Sequence, residues 1–236
     1  GLTNTHFMNV HGLDEENHYS TAYDMAMIAR ELVKHEKILE YSSKYEDYVT
    51  HPDGTNTWIV NTNKLIKNYQ GATGLKTGST SLALFNLSAS ATRENLSLIA
   101  VVMRAPTTKE RFSCARKLLD YGFSNYQYKK LAEKDCEVMK VPVMKGTEAE
   151  VAVKYSDSVG KVMNKKEDGN VEQEVMINGD IIAPIQKGDV LGNVFYRVNG
   201  EEVASVELVA DSSVEKLSFF NMGKRVVKKW FYLFRN

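Results

Sequence analysis

Apolar positions recur at helical spacing twice in the first half of the chain and alternate with polar ones through most of the second half. Met25, Ile28, Ala29, Leu32 and Val33 form one stripe, with Arg30, Glu31 and Lys34 on the opposite side, so a helix is predicted that fades near Leu39. It opens at Ser20-Thr21-Ala22-Tyr23-Asp24, where Thr21 and Asp24 are placed to accept from free helix-end N–H groups. Residues 45–74 are irregular, with a turn at Pro52-Asp53-Gly54, a strand-like Thr57–Asn61 and a short helical or looped Asn63–Asn68. Three antiparallel strands are then expected at Gly74–Thr80, Leu84–Ala91 and Leu96–Arg104, the last two joined by the polar turn Arg93-Glu94-Asn95. Thr108–Tyr121 places Phe112, Ala115, Leu118 and Leu119 on one face. It reads as a helix packed over that sheet and closed by Gly122.

Beyond residue 129 the period changes to two. Cys136–Val143, Glu148–Val153, Val171–Ile177, Val190–Val198 and Val203–Val209 alternate and are rich in Val, and Asn199-Gly200 between the last two is a strong hairpin signal. The expected organisation is an α+β domain over 1–128, an all-β domain over 129–211 and an amphipathic helix over 212–236. In that tail Phe220, Trp230, Phe231 and Phe234 interleave with Lys224, Arg225, Lys228 and Lys229. A bilayer span needs ~20 predominantly apolar residues. A basic helix with aromatic residues opposite instead suits the plane of an anionic membrane surface, where each basic residue contributes on the order of 1 kcal/mol.

The 236 residues, 43% hydrophobic and 25% charged, describe a globular chain. Thirty basic against thirty acidic residues argue against a nucleic-acid binder, which needs a concentrated basic face. Cys114 and Cys136 have no metal-type spacing, and His6, His18, His35 and His51 have none either, so no metal site is expected. A disulfide between the cysteines stays open.

The chemistry concentrates at Lys76-Thr77-Gly78, in the run from Gly71 to Thr80, which enters a predicted strand and is followed by a two-strand meander and a covering helix. Alone the tripeptide means little. In this setting it matches the third motif of serine acyltransferases, which need in chain order a Ser-x-x-Lys, a Ser-x-Asn and then Lys-Thr-Gly. Nothing before Lys76 supplies the first two; Ser158/Lys161 and Ser213/Lys216 have the first spacing but follow Lys76 and are read as chance, and Ser-x-Asn is absent. With Phe7-Met8-Asn9-Val10-His11-Gly12-Leu13-Asp14 and the amphipathic tail, the chain resembles the serine-type D-alanyl-D-alanine carboxypeptidases, the low-molecular-mass penicillin-binding proteins, over essentially its whole length. It is expected to be the C-terminal portion of such an enzyme, beginning with Gly1 inside the catalytic domain and inactive alone.

The resemblance implies a site at Lys76, Thr77, Gly78, Ser79 and Leu13, no cofactor, and a parent enzyme on the outer face of the cytoplasmic membrane that trims the terminal D-Ala from cell-wall stem peptides through an acyl-serine and is acylated by β-lactams. Lys76 and Thr77 would hold the peptide carboxylate, Gly78 would let the peptide lie along the strand, and the N–H of Ser79 would form half of an oxyanion hole. Some relatives carry a histidine where this chain has Ser79 and an arginine where it has Thr62, so Lys76 and Thr77 would bear more of the recognition. His11 and Leu13 fall in a segment the family uses as a cleft wall. Asp14, Glu15 and Glu16 read as a solvated acidic loop, and Trp58 reads as strand packing in preference to a sugar platform. The rivals are a transpeptidase or β-lactamase of the same fold, and a non-catalytic wall-binding scaffold. Apolar sheet surface left uncovered by the missing motifs would favour self-association.

Overall fold

The computed structural model describes residues 1–166 and 171–218, and the chain divides into two compact units, Gly1–Gln127 and Tyr128–Asn236. The tail residues Phe220, Lys224, Arg225, Lys228, Lys229, Trp230, Phe231 and Phe234 lie outside the described residues.

In the first unit, α1 spans Ala22–Leu32 and α2 spans Glu36–Ser42, so the single helix expected from sequence is two. Leu39 lies seven residues after Leu32 and so on the same helical face, which is why the apolar stripe did not signal the break; it falls at His35, whose backbone is extended. Thr21 caps α1 by accepting the Asp24 N–H at 3.1 Å. Asp24 does not share that duty. Its buried carboxylate instead accepts the Thr5 hydroxyl at 2.6 Å and the Asn4 N–H at 3.2 Å, tying the N-terminal segment to the helix.

Strands β1 (Glu46–Thr50) and β2 (Asn56–Val60) form a ribbon closed at Gly54, where φ is +83° and only glycine is at ease. All ten strand residues are exposed, so no hydrophobic alternation announced β1 in the sequence. After α3 (Leu65–Asn68) come β3 (Ala72–Thr80), β4 (Leu84–Arg93) and β5 (Leu96–Ala105), an antiparallel sheet in that spatial order. Glu94 and Asn95 both adopt positive φ in the tight turn between β4 and β5.

Helix α4 (Thr108–Asn125) lies against this sheet. It runs three residues past Gly122 instead of stopping there, because that glycine serves packing: a Cβ at Gly122 would come within 2.4 Å of Leu98 Cδ1 on β5. Ala89, Ala91, Ala100 and Ala115 share the core with Leu65, Leu87, Leu119 and Phe123, so small side chains admit the helix closely and the large ones fill the rest. Each fully buried Leu or Phe stabilises this core by roughly 1.5–3 kcal/mol relative to exposure.

Strand β6 (Tyr126–Ala132) begins at the end of the first unit and continues into the second, which contains β7 (Glu137–Pro142), β8 (Glu150–Tyr155), β9 (Val159–Asn164), β10 (Val171–Ile177), β11 (Val190–Val198) and β12 (Glu201–Ala210). Five strands pair in the order β10-β11-β12-β8-β7, and β6 pairs with β9. Val141, Val153, Val194, Leu208 and Val214 are almost fully buried in one core, the inward half of the valine alternation. Asn199 and Gly200 take positive φ between β11 and β12. Within Ser212–Leu217, assigned from sequence to the amphipathic segment, Val214 and Lys216 form extended bridges with Ile185 and Gly146 in place of a helix start, because Val214 is needed in that core. The fold is α+β, an antiparallel sheet with helices followed by an all-β unit.

Candidate active site

Strand β3 has a strand partner only on its β4 side, so among the described residues no strand covers its outer edge. Lys76, Gly78 and Ser79 are exposed along it, whereas Leu75 and Thr77 are buried, as the alternation of a strand requires. The exposed Lys76 ammonium donates to the Thr77 carbonyl, which keeps the charge alongside the strand edge. Across β4, the register sets Ser88 opposite Lys76, and the buried Ser88 Oγ has no partner. A Cβ built on Gly78 meets nothing within 4 Å. The fold therefore does not need glycine there; what glycine leaves is open space against the backbone, suited to a second extended chain.

The Thr77 hydroxyl lies 2.7 Å from that of Thr62. Two hydroxyls share one hydrogen bond, so one O–H of the pair keeps a proton for a ligand. Thr62 is held there by its neighbours. Asn63 is 0% exposed and donates from Nδ2 to the Gly74 carbonyl at 2.8 Å, while its Oδ1 accepts the Leu65 N–H at 3.2 Å. Asn61 donates to the carbonyls of Ser42 and Lys44, and its Oδ1 accepts the Asn63 N–H at 2.9 Å. At Gly74 a Cβ would sit 2.6 Å from Ser42 Oγ, and that hydroxyl donates to the Thr73 carbonyl at 2.7 Å, so α2 braces the start of the strand.

Arg111 was missed in the sequence. It is 6% exposed on α4, and its Nη1 donates to the carbonyls of Asn86 at 3.2 Å and Gly78 at 3.4 Å. The guanidinium lies over the rings of Phe85 and Phe112, and Nε has no partner. Burial lowers its pKa, yet an arginine keeps its charge, so a fixed positive charge backs the Gly78–Ser79 stretch. The available signal was position: Arg111, Ala115 and Leu119 repeat at four-residue intervals on the apolar stripe.

Leu13 is 61% exposed in a loop that reaches the far end of β3. Thr80 Oγ1 donates to Asp14 Oδ1 at 2.6 Å and accepts the Ala83 N–H at 2.9 Å, and Asn9 braces the loop through Gly12 N–H, the Leu13 carbonyl and Glu15. His11 accepts the Leu13 N–H at Nδ1, a contact inside the loop. Both later Ser-x-x-Lys pairs are structural: Ser158 Oγ accepts the Lys134 N–H and Ser213 Oγ accepts the Lys187 N–H. Cys114 and Cys136 are free and exposed. Trp58 does not pack within its strand layer; it is 57% exposed.

A Lys-Thr-Gly edge strand backed by a meander and a covering helix defines the class of penicillin-interacting serine acyltransferases. Residues 1–107 match the family of D-alanyl-D-alanine carboxypeptidases, and residues 126–216 match the C-terminal domain of penicillin-binding protein 5. The D-alanyl-D-alanine carboxypeptidase DacF of Bacillus subtilis is 42% identical over 231 residues, which is 98% of this chain and 59% of that protein. DacC of Escherichia coli is 32% identical over 93% of this chain and 54% of its own length. Penicillin-binding protein 5 of Haemophilus influenzae superposes with a TM-score of 0.64 at 33% identity, over 92% of this chain and 62% of that one. The chain is similar to these D-alanyl-D-alanine carboxypeptidases over nearly its whole length and spans between half and three fifths of the length of these curated relatives.

Proposed function

We propose that this chain supplies the carboxylate-binding wall of a D-alanyl-D-alanine carboxypeptidase of peptidoglycan maturation. The observation that carries it is the exposed edge of β3: Lys76 in the open, a Thr62–Thr77 hydroxyl pair with one spare proton, and empty space at Gly78. A stem peptide ending in D-Ala-D-Ala lies along this edge with its carboxylate toward the ammonium and the threonine pair. Arg111 adds positive potential from behind without spending hydrogen bonds on the ligand. Leu13 flanks the cleft, positioned by the Asp14–Thr80 bond.

The nucleophile belongs to a Ser-x-x-Lys element outside these 236 residues. Its hydroxyl attacks the amide carbonyl between the two D-alanines and the proton passes to the leaving amine. D-alanine departs, and water cleaves the acyl-serine. Ser79 N–H is the donor offered to the oxyanion. β-Lactams take the same route and stop at the acyl-enzyme. The parent enzyme works outside the cytoplasmic membrane, with the basic-aromatic tail lying on its outer face, and the uncovered sheet of this chain associates with a second copy.

A labelled penicillin tests the proposal. A polypeptide joining this chain to a Ser-x-x-Lys and a Ser-x-Asn element acquires covalent label, and Lys76→Ala in it suppresses labelling; this chain alone stays unlabelled. Covalent label on the 236 residues would require another nucleophile and would overturn the assignment.

A further inference from the structure

The β1–β2 ribbon has no role in the site described above, and its surface is unusual. Register places Tyr48 directly opposite Trp58, so both rings stand on the same face, 64% and 57% exposed. The next pair on that face toward the tip is Thr50 and Asn56, with Thr50 Oγ1 donating to Asn56 Oδ1 at 2.7 Å. This bond orients the Asn56 amide and leaves its NH2 group free to donate. The Thr57 hydroxyl, which alternation puts on the opposite face, bonds the His51 ring at 2.7 Å and ties the two strands together beside the turn. Two adjacent aromatic faces followed by an oriented amide and a threonine hydroxyl are the chemistry that holds a pyranose ring, with apolar C–H faces on the aromatics and equatorial polar groups on the amide.

We propose that this ribbon is a binding platform for the N-acetylated glycan strand of the cell-wall polymer. The inference rests on the stem-peptide assignment for its substrate but on separate residues for its contacts.

Two further observations select this occupant. Residues 46–60 contain Glu46, Asp47 and Asp53 and neither Lys nor Arg, which opposes an anionic lipid surface or a nucleic acid and suits an uncharged saccharide. The ribbon also runs directly into the peptide site. Trp58 is four residues from Thr62, at most ~14 Å along the chain, and Thr62 touches Thr77. A five-residue stem peptide in extended form spans ~17 Å. A peptide whose carboxylate is held at Lys76 and Thr77 therefore brings the sugar at its other end within reach of Tyr48 and Trp58. Glycan and peptide would be recognised by one continuous surface, and their linkage would raise affinity through effective concentration.

The test is NMR titration of the 236-residue chain carrying Trp230→Phe, so that one indole reports. Three probes are used, with anionic vesicles and an apolar peptide as controls: a β-1,4-linked N-acetylglucosamine oligomer, an acylated D-Ala-D-Ala peptide, and a disaccharide bearing the complete stem peptide. The oligomer shifts the Trp58 indole and Tyr48 ring, and the peptide shifts the amides of Lys76–Ser79. The linked ligand binds ~10-fold or more tightly than either part. Trp58→Ala removes the oligomer shift and the linkage gain while the peptide response persists. Asn56→Ala, which leaves the rings and strand ladder in place, weakens the oligomer severalfold and guards against a ribbon that simply fails to form. Peptide shifts at β3 with no oligomer shift at Trp58 overturn the platform alone. Oligomer shifts with an unmoved β3 overturn the stem-peptide assignment and keep the platform. An indole that responds only to anionic vesicles or to apolar peptides overturns it in favour of a lipid or protein partner.

Discussion

Replacing Asn63 with alanine tests how Thr62 is delivered to the site. The side chain is completely buried, and alanine deletes both of its bonds, orphaning the Gly74 carbonyl and the Leu65 N–H. A buried polar group left unpaired costs about 1–3 kcal/mol, so the two together predict a loss of about 3 kcal/mol if water partly enters the space. Asn63→Asp sharpens the test. Its carboxylate still accepts from Leu65 N–H but faces the Gly74 carbonyl with no proton to donate. Burial without a countercharge raises the pKa of that aspartate above its unfolded value near 4. The sign follows: a raised folded pKa means the protonated, donating form supports the fold at low pH, and this support is lost as pH rises through the folded pKa. Asn63→Asp should thus approach wild-type stability near pH 4 and fall below it at pH 7, with no matching pH trend in Asn63→Ala. Urea unfolding followed by Trp58 fluorescence in the Trp230→Phe chain measures both, with an unchanged slope as the control for compactness. A loss below about 1 kcal/mol in Asn63→Ala, or an aspartate variant indifferent to pH, would refute the brace.

Gly78→Ala should leave stability within ~0.5 kcal/mol, because its Cβ enters empty space, yet reduce D-Ala-D-Ala peptide binding in calorimetry. Gly74→Ala should cost about 1–3 kcal/mol in the same urea assay, since its Cβ meets Ser42 Oγ at 2.6 Å. Burial, then the hydrogen bond to Asp120, push the Tyr69 phenol up to about 12. Its contribution is complete below pH 10 and lost as pH rises toward 12, so ultraviolet titration should show a late tyrosine near 12 that disappears in Tyr69→Phe, while Tyr196, which burial and then the Tyr155 hydroxyl push higher still, persists. Changing Lys224, Arg225, Lys228 and Lys229 to Gln should release the chain from anionic vesicles in a sedimentation assay. Each charge contributes on the order of 1 kcal/mol there, so the wild-type chain should also detach as salt rises.

Sequence patterning located the β3–β5 meander, the covering helix and the valine strands because each buries one face, and burial is what periodicity records. Lys-Thr-Gly was legible for a different reason: the tripeptide entered a predicted strand followed by a two-strand meander and a covering helix, and that setting, not the three residues alone, carried the reading. What escaped lacks those signatures. The β1 strand buries nothing, so Glu46–Thr50 shows no alternation. Gly122 looks like a helix stop until Leu98 is seen against it. Arg111 breaks the apolar stripe it occupies, and only the carbonyls of Gly78 and Asn86 explain a charge in that place. The Thr62–Thr77 pair joins residues fifteen positions apart, and spacing alone does not reveal that meeting.

A strand margin kept free for a visiting peptide is equally inviting to the wrong one. Proteins that leave such a margin bare risk stacking copy upon copy, and an inserted charge is the common safeguard. Lys76 stands midway along β3 with exposed glycine and serine after it, and no large apolar side chain projects from that stretch. The same ammonium that would draw a free carboxyl end thus repels its own counterpart on another molecule, so that solubility and selectivity depend on a single residue. Neutralising it would do more than dull recognition: it would turn a docking rail into a seed for strand-by-strand polymerisation.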